Sequence, residues 1–226
     1  MTGVFDSGVG GLCAFRILRA LLPREDLVFL RDRKNCPYGK RPKEEIIGIS
    51  EGNISLLKEM GCERVLIACC TASTIYQDLS AEARRVAIPI VGPTLDKAKS
   101  LTRSGKIGVI ATEATIRSHA FCSQAHTLYE AAAQHLVDIV EGGERDGALT
   151  DSTRQYLKKL LLPMAREGID TLILGCTHFH ALRGEIEKIL NQEKRKIITV
   201  SSAEVGALTA ASTAGQGQES GKTVYI

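Results

Sequence analysis

The sequence predicts an α/β fold of two similar halves, with mainly parallel sheets that face each other across a central cleft. Short apolar runs alternate with longer amphipathic segments, which is typical of parallel strands covered by helices on both faces. The segment Leu66–Thr71 is similar to Leu172–Thr177, so the second half repeats the first. The chain has 226 residues, of which 44% are hydrophobic, enough for a substantial core. We expect one domain of residues 1–93 with 200–226 and a second of residues 94–199.

The elements of the first half follow from the spacing of apolar residues. Apolar residues recur at helical spacing up to Pro23, and a longer amphipathic stretch ends at Gly61. The compact apolar runs in this half are typical of buried strands. The predicted strands are Gly3–Phe5, Leu27–Leu30, Val65–Ala68 and Pro89–Val91, and the predicted helices are Leu12–Leu22, Glu44–Met60 and Thr74–Val86.

The second half repeats this alternation. The predicted strands are Ile107–Ile110, Leu136–Val140, Thr171–Leu174, Ile197–Val200 and an edge strand Thr223–Ile226, and the predicted helices are Ala114–His126, Asp151–Glu167 and Ala181–Leu190. Pro163 should bend or end its helix, because it lacks the backbone donor that a helix interior needs. The tail after Ser212 is rich in Gly, Ser and Gln, and we expect it to be loose.

Composition excludes several classes of partner and cofactor. The net charge is only +3, aromatic residues make up 4% of the chain and Trp is absent, so no nucleic acid partner is expected. No apolar run approaches the roughly 20 residues that span a bilayer, and no basic stretch opens the chain, so we expect a cytoplasmic protein without a membrane partner or secretory signal. The seven cysteines include no CxxC pair, so neither a metal nor another cofactor is expected.

Two cysteine–threonine segments carry the chemistry. Cys69-Cys70-Thr71 and Cys176-Thr177 each stand where an apolar strand ends and a helix should begin, and the N–H groups there should lower a thiol's pKa below about 8.5. Facing halves would place one thiol on each side of a small ligand, so that one removes a proton and the other delivers one to the opposite face. The alternative is a pair of core cysteines, and spacing alone does not decide between them.

Other polar residues stand close to these strand ends. Asp6 could polarise a thiol and Ser7 could bind a carboxylate, although either could simply cap the next helix. The glycines that follow them allow a ligand to approach the backbone closely, but the spacing is not that of a dinucleotide-binding loop. His178 could hold the proton of the neighbouring thiol, or it could cap a helix.

Three further segments give weaker signals. The turn Cys36–Gly39 could cup an anion with its backbone N–H groups. Glu141 ends a predicted strand and could put a carboxylate at the cleft, or it could belong to a surface turn. A basic loop should be solvated; its residues are Arg31, Arg33, Lys34, Lys40 and Arg41.

Five motifs, taken together and in order, resemble the aspartate/glutamate racemase family, in its glutamate-racemising branch. They are FDSGVGG at 5–11, NCPYG at 35–39, ACCTAS at 68–73, VGPTLDKA at 91–98 and LGCTHF at 174–179. The resemblance implies cofactor-independent racemisation of glutamate, a supply of D-glutamate for bacterial peptidoglycan, and a homodimer. It implies that Cys69 and Cys176 are the acid/base residues, assisted by Asp6, His178 and Glu141. The substrate-binding residues that it implies are Asp6, Ser7, Pro37, Tyr38, Gly39, Cys70, Thr71, Thr112, Thr177 and His178.

The chain also departs from the family pattern. Cys70 stands where the family usually has Asn, and a thiol is a weaker hydrogen-bonding group than an amide. The internal repeat aligns Cys70 with Cys176, whereas the family motif selects Cys69. His180 replaces a usual Pro, Ser201 replaces a common Asp, and the segment before Glu141 lacks the usual Cys-Pro start. The chain stops short of the usual C-terminal helix, which could weaken dimerisation or closure. A racemase of aspartate or another small acidic amino acid, or a catalytically weak paralogue that binds a small acid, therefore stays open as an alternative.

Overall fold

The computed structural model describes residues 1–192, 196–214 and 220–226. Its strands are β1 (Thr2–Asp6), β2 (Leu27–Arg31), β3 (Arg64–Ile67), β4 (Ala87–Ile88), β5 (Lys106–Ala111), β6 (Thr127–Ala132), β7 (Thr171–Gly175), β8 (Ile198–Ser201) and β9 (Thr223–Tyr225). Its α-helices are α1 (Gly11–Leu21), α2 (Lys43–Glu59), α3 (Cys70–Ser73), α4 (Ala81–Val86), α5 (Val91–Leu101), α6 (Glu113–Arg117), α7 (His135–Glu141), α8 (Asp151–Arg166), α9 (Arg183–Leu190) and α10 (Ser202–Ser212). Short 3₁₀ helices cover Tyr38–Lys40, Tyr76–Asp78 and Thr177–Leu182.

The strands of the described residues form two sheets. The first sheet has the order β4-β3-β1-β2-β9 and the second has the order β6-β5-β7-β8. Every pairing in both sheets is parallel. The predicted fold class of two α/β halves with parallel sheets is confirmed. The division into residues 1–93 with 200–226 and residues 94–199 stays a prediction.

The first sheet is apolar on both faces because helices cover both. On one face Val4 and Leu66 pack in a cluster with Phe15 of α1 and Ala207 of α10. On the other face Phe5 and its neighbours pack against α2 and α4. Successive side chains of a strand point to opposite faces, so a continuous apolar run such as β1 or β3 serves both clusters.

The predicted strand Leu136–Val140 is wrong, since this segment is the helix α7. Leu136, Val137 and Val140 are buried on one side of that helix, and a short apolar run of this kind fits a strand equally well. The strand in this region is β6, which begins at Thr127, directly after the predicted helix Ala114–His126. Only Glu113–Arg117 of that region is α-helical, and His119 then takes a positive φ of 50°.

The region between β3 and β5 also differs from the prediction. The predicted helix Thr74–Val86 is broken into a 3₁₀ turn and α4, whose start is capped by the Ser80 hydroxyl accepting from the Ala83 N–H at 3.1 Å. The predicted strand Pro89–Val91 is wrong, because β4 precedes it and α5 begins at Val91.

Toward the end of the chain, helix α8 continues through Pro163 to Arg166, so the proline does not end it. Of the tail after Ser212, residues 215–219 lie outside the described residues. The predicted edge strand is confirmed as β9, which pairs with β2. Within the described ranges, no helix combines the length and the apolar character that crossing a membrane demands.

Parallel strands bring four loops to one place. The residues that follow the carboxyl ends of β1, β3, β5 and β7 begin at Ser7, Ala68, Thr112 and Cys176 respectively. β1 and β3 are neighbours in the first sheet, and β5 and β7 are neighbours in the second. In α/β sheets ligands bind at this edge, and here the two edges face each other.

Candidate active site

A small buried cavity lies where the carboxyl ends of the two sheets meet. It is lined by Ser7, Pro37, Tyr38, Gly39, Cys69, Thr71, Thr112, Gln134, Val137, Cys176, Thr177 and His178. The free volume of the cavity is small and holds about one water molecule. Most of the residues that the sequence singled out thus line one space. Of the others, Asp6 and Glu141 stand behind its wall and Cys70 points elsewhere.

Cys69 lies at the turn between β3 and α3. It is 6% exposed, and its Sγ lies 3.7 Å from the Ser7 Oγ. Burial, with a smaller contribution from the Asp6 charge, raises the pKa of the Cys69 thiol to about 12. The expected lowering of the pKa by the helix start is therefore wrong. Helix α3 has only four residues, and its N–H groups do not outweigh the loss of solvent.

Cys70 belongs to the opposite face of the first sheet. Its side chain is buried in the cluster that contains Leu66, Ala68 and Ala203, whereas Cys69 belongs to the cluster with Ile67. Alternation along the chain thus separates the two adjacent thiols. Cys69 and Cys176 line the cavity together, although the internal repeat aligns Cys70 with Cys176.

Cys176 is the first residue of a hydrogen-bonded series. Its Sγ lies 3.5 Å from the Nδ1 of His178, and the Nε2 of that histidine lies 2.6 Å from the Oε1 of Glu141. A carboxylate only accepts, so Glu141 favours the tautomer with the proton on Nε2 and leaves Nδ1 free to accept from the thiol. Burial raises the pKa of the Cys176 thiol well above its usual range. The predicted lowering is wrong here too.

Glu141 is held as a carboxylate from three sides. Its Oε1 also accepts from the Val9 N–H at 2.7 Å, and its Oε2 accepts from an Nη2–H of Arg31 at 2.8 Å. Burial alone would raise the pKa of Glu141, but the hydrogen bonds from His178 and Val9, with the charges of His178 and Arg31, outweigh it and hold the pKa at about 2. Arg31, predicted as part of a solvated loop, is instead an ion-pair partner within the site.

The glycines of the turn after β1 make room for this series. A Cβ at Gly8 would lie 2.0 Å from Glu141 Oε1, and one at Gly10 would lie 2.5 Å from the backbone N of His178. A Cβ at Gly11 would lie 2.2 Å from the Cβ of Asp6. These contacts are far closer than a side chain tolerates, so glycine is needed at Gly8 and Gly10 for packing against the other half, and at Gly11 for packing against β1.

Asp6 is fully buried next to the cavity. Its Oδ1 accepts from the Gly8 N–H at 2.8 Å and its Oδ2 accepts from the Thr177 hydroxyl at 2.9 Å. Burial raises the pKa of Asp6, while the charge of His178 and these two hydrogen bonds act in the opposite direction. Asp6 therefore joins the first sheet to the Cys176–His178 segment of the second.

Hydroxyl groups form the opposite part of the wall. The Oγ1 atoms of Thr71 and Thr112 lie 2.9 Å apart, and Thr115, which sequence reasoning missed, lies 2.8 Å from Thr112. Tyr38 turns its hydroxyl away from the cavity and donates to Asp32 Oδ2 at 2.6 Å. Of the predicted anion-binding turn, Pro37, Tyr38 and Gly39 line the cavity.

Other cavity residues also lay outside the sequence predictions. Gln134 directly precedes α7 and Val137 lies in its first turn, where the sequence predicts the strand Leu136–Val140. No motif marks them, because their position depends on how α7 packs over the end of β5. Among the described residues, no group of three or more His, Cys, Asp or Glu side chains has an arrangement that could hold a metal ion.

Comparisons with known proteins agree with this geometry. The family model described as Asp/Glu/hydantoin racemase matches residues 14–210. A glutamate racemase of Desulforudis audaxviator is 36% identical over 200 residues, which are 84% of this chain and 71% of that protein. A crystal structure of a glutamate racemase from Francisella tularensis in complex with D-glutamate has a TM-score of 0.85 and 25% identity, covering 99% of this chain and 86% of that one. A glutamate racemase from Bacillus anthracis has a TM-score of 0.83 and 29% identity, with 100% and 86% covered.

Proposed function

This chain belongs to the Asp/Glu/hydantoin racemase family, and we propose that it interconverts L- and D-glutamate with two cysteine thiols and no cofactor. The choice of glutamate as the substrate rests on relatives that are glutamate racemases, one of which was crystallised with D-glutamate. The observation that carries the two-thiol mechanism is the shared cavity of Cys69 and Cys176, which follow strands of different sheets.

In the proposed reaction the α-carbon of glutamate lies between the two sulfur atoms. The thiolate of one cysteine takes the α-proton and becomes a thiol, and the electron pair of the broken C–H bond stays on carbon. The thiol of the other cysteine then gives its proton to the opposite face of that carbon and becomes a thiolate. The product has the inverted configuration, and the roles of the two cysteines exchange for the reverse reaction.

Cys176 would form its thiolate with the help of His178. The thiol proton moves to His178 Nδ1, 3.5 Å away, and the resulting imidazolium is stabilised by the Glu141 carboxylate at Nε2. Because the pKa of Glu141 is about 2, this carboxylate is charged throughout the neutral range. Positioned acid/base groups of this kind typically contribute about 10²–10⁴-fold to a rate.

Cys69 would depend on the substrate for its ionisation. Since burial raises the pKa of its thiol to about 12, few molecules carry the Cys69 thiolate at neutral pH before substrate binds. The ammonium group of a bound amino acid adds a positive charge close to the sulfur, and an adjacent opposite charge lowers the pKa of a thiol. Asp6 would attract that ammonium group from behind the wall.

The carbanion must be stabilised by the cavity itself. Among the described residues that line it, none is Lys or Arg, so the substrate's carboxylates would be bound by hydroxyl groups and backbone N–H groups. Thr71 and Thr112 are buried and fixed in place by the hydrogen bond between them. The Thr177 hydroxyl already donates to Asp6, so its oxygen would accept from the substrate's ammonium group instead. Donors that are already oriented need no rearrangement when charge develops, which is the strongest general source of transition-state stabilisation.

Aspartate is the second candidate substrate. The specific observation in its favour is Cys70, which stands where the family usually has Asn and whose side chain is buried away from the cavity. With Cys70 buried away from the cavity, position 70 offers the substrate no side-chain donor. One methylene less in the substrate typically changes kcat/KM by about 10–200-fold, so the two acids are easily told apart.

The biological setting follows from the resemblance to the family. We propose that the D-glutamate serves bacterial peptidoglycan synthesis in the cytoplasm and that the chain acts as a homodimer. Light scattering on the purified protein tests the assembly, with a mass near twice 24.4 kDa expected for a dimer.

The activity is tested by incubating the purified, reduced protein with L-glutamate or L-aspartate and resolving the enantiomers by chiral chromatography. We expect L-glutamate to approach an equal mixture with D-glutamate, and kcat/KM for aspartate to be at least about tenfold lower. A higher kcat/KM for aspartate would replace the first candidate with the second. If neither acid changes, the chain is not a racemase of these substrates.

A further inference from the structure

Gln134 is a cavity residue whose side chain has no partner. It is 5% exposed and lines the cavity, yet neither its Oε1 nor its Nε2 makes a hydrogen bond within the described structure. Buried amides are nearly always hydrogen-bonded, because removing both polar atoms from water without replacement costs free energy. An unpaired amide facing a cavity is therefore suited to a ligand.

The backbone fixes Gln134 at this place. The N–H of Ala133 donates to the Ala111 oxygen at 2.7 Å, which ties this segment to the end of β5, and the Gln134 oxygen accepts from the Val137 N–H at 3.0 Å. The side chain then reaches across to the other half. A Cβ at Gly39 would lie 2.0 Å from Gln134 Oε1, so the amide oxygen packs directly against that glycine.

Gln134 belongs to the threonine side of the cavity. A Cβ at Gly39 would also lie 2.9 Å from Thr112 Cβ. Gly39, Thr112 and Gln134 are therefore direct neighbours. Asp6, Thr177 and His178 form a separate group around the glycine turn after β1. A substrate whose ammonium group lies toward Asp6 would extend its side chain toward the group that contains Gln134.

We propose that Gln134 binds the side-chain carboxylate of the substrate, donating from Nε2, and is a specificity residue for amino acids with a distal carboxylate. This inference rests on the proposed function and deepens it. Oε1 packs against Gly39, and Nε2 is a buried donor without a hydrogen-bond partner, which leaves it available to a ligand. The neighbouring Thr71 and Thr112 hydroxyls already bond each other, and neither Lys nor Arg is among the described lining residues, so a neutral N–H donor is what this end offers.

Two variants and one control test the proposal. Q134M keeps the length of the side chain and removes its hydrogen bonds, and Q134E keeps the shape but replaces the donor with a carboxylate. The control Q192A removes an exposed glutamine remote from the cavity lining. For each protein we would measure KM and kcat for L-glutamate and L-glutamine, with circular dichroism and thermal midpoints to establish folding.

We expect Q134M to raise KM for glutamate about tenfold or more with a smaller change in kcat, since a hydrogen bond to a charged group is lost. Q134E should raise KM further at pH 7 because two carboxylates then face each other, and Q192A should match the wild type. A purely structural role would instead affect Q134M and Q134E alike and lower their thermal midpoints together.

Three results would overturn the inference. If the wild type racemises glutamate and Q134M keeps its KM within twofold, Gln134 does not bind the carboxylate although the proposed function stands. A lower KM for glutamine than for glutamate in the wild type would show that the amide pairs with a carboxamide instead. A wild type that does not racemise glutamate would overturn the proposed function itself, and this assignment with it.

Discussion

Cys69 and Cys176 share one cavity but have different neighbours. The Cys69 sulfur lies beside a hydroxyl, that of Ser7, whereas the Cys176 sulfur lies beside the imidazole of His178 with the Glu141 carboxylate behind it. A proton acceptor is thus built in for Cys176 and not for Cys69. The two thiols of the proposed pair therefore differ chemically, although the two enantiomers that they would interconvert are equally stable.

Replacing either thiol tests the pair at the residue scale. We expect Cys69→Ala and Cys176→Ala each to lower kcat for racemisation by at least about 10²-fold, because each face of the α-carbon then lacks its acid/base group. The buried Cys62 lies outside the cavity lining, so Cys62→Ala is the matched control and should keep its activity. Near-normal activity in either of the first two variants would refute the two-thiol mechanism.

The residues that the sequence identified share a simple signal. Cys69, Cys176, Asp6 and Thr112 all stand at or just after the carboxyl end of an apolar strand, where parallel sheets place ligands. Gln134 lacks that signal, because β6, the strand before it, is not a buried apolar run. Arg31 stands at the end of β2 and has the signal, but the sequence does not show what it contacts. Arg31 reaches its partner Glu141 across 110 positions of the chain, and such pairings depend on how the halves pack. The raised thiol pKa values were missed for the same reason, since burial arises only in the folded protein.

At the scale of elements, the glycine turn after β1 controls the approach of one half to the other. A methyl group at Gly10 would lie 2.5 Å from the His178 backbone N and 2.6 Å from its Nδ1. Glu141, too, contacts this turn through the Val9 N–H. The turn therefore sets where the histidine stands relative to Cys176, in addition to joining β1 to α1.

Gly10→Ala should lower kcat by about 10²-fold, because a displacement of roughly 1 Å at a catalytic group has an effect of that size. A second glycine offers a matched control. At Gly92 in α5 an added methyl group meets nothing within 4 Å, so Gly92→Ala should keep kcat and gain about 0.5–1 kcal/mol in free energy of unfolding. Steady-state kinetics and urea unfolding measure both. Equal kcat values for the two variants would contradict the steric argument.

The ion pair between Arg31 and Glu141 joins β2 to α7 and should make stability depend on pH. The folded pKa of Glu141, about 2, lies below its ordinary value of 4.5, so its contribution to stability is present above pH 4.5 and is lost as pH falls toward 2. Arg31→Met removes one cause of that low pKa. We expect a lower thermal midpoint than the wild type at pH 7, with a difference that shrinks between pH 4.5 and 2.

The control for this prediction is Arg33→Met, which removes an exposed arginine from the same loop. It should show no such pH-dependent difference from the wild type. A difference for Arg31→Met that stays constant down to acid pH would mean that the arginine stabilises the fold through packing alone.

The sequence predicts a helix or strand correctly where the spacing of apolar residues and the length of the segment indicate the same element. β1, β2, β5 and β7 are confirmed because a compact apolar run is bounded by polar turns. The predicted strand Leu136–Val140 is wrong because a short, mostly apolar run fits the period of a strand and of a helix equally well. Glu141, the last residue of α7, nevertheless reaches the site and contacts His178.

At the scale of the whole molecule, the cavity is nearly closed between the two sheets. About one water molecule fits in it, so an amino acid can enter only if the walls of the cavity move. Closure removes water from the thiols and strengthens every electrostatic interaction inside. Asp6 with Thr177, and Arg31 with Glu141, are contacts between the halves that such a motion would have to break or carry along.

The mechanism needs no metal ion, because the thiols exchange protons and the cavity supplies the hydrogen bonds. Dialysis against EDTA should therefore leave kcat and KM for glutamate within about twofold of the untreated protein, provided that a reductant keeps the thiols free. Loss of activity that added divalent ions restore would contradict this account.

The most direct test of the central claim follows the α-hydrogen of L-glutamate in D₂O by proton NMR, with the enantiomers resolved at early times. If two thiols act from opposite faces, the first D-glutamate formed carries deuterium at the α-carbon, because its new hydrogen comes from the other, solvent-exchanged thiol. The remaining L-glutamate should still carry protium at that stage. D-glutamate that retains protium, or L-glutamate that gains deuterium as fast as D-glutamate forms, would contradict the two-thiol account.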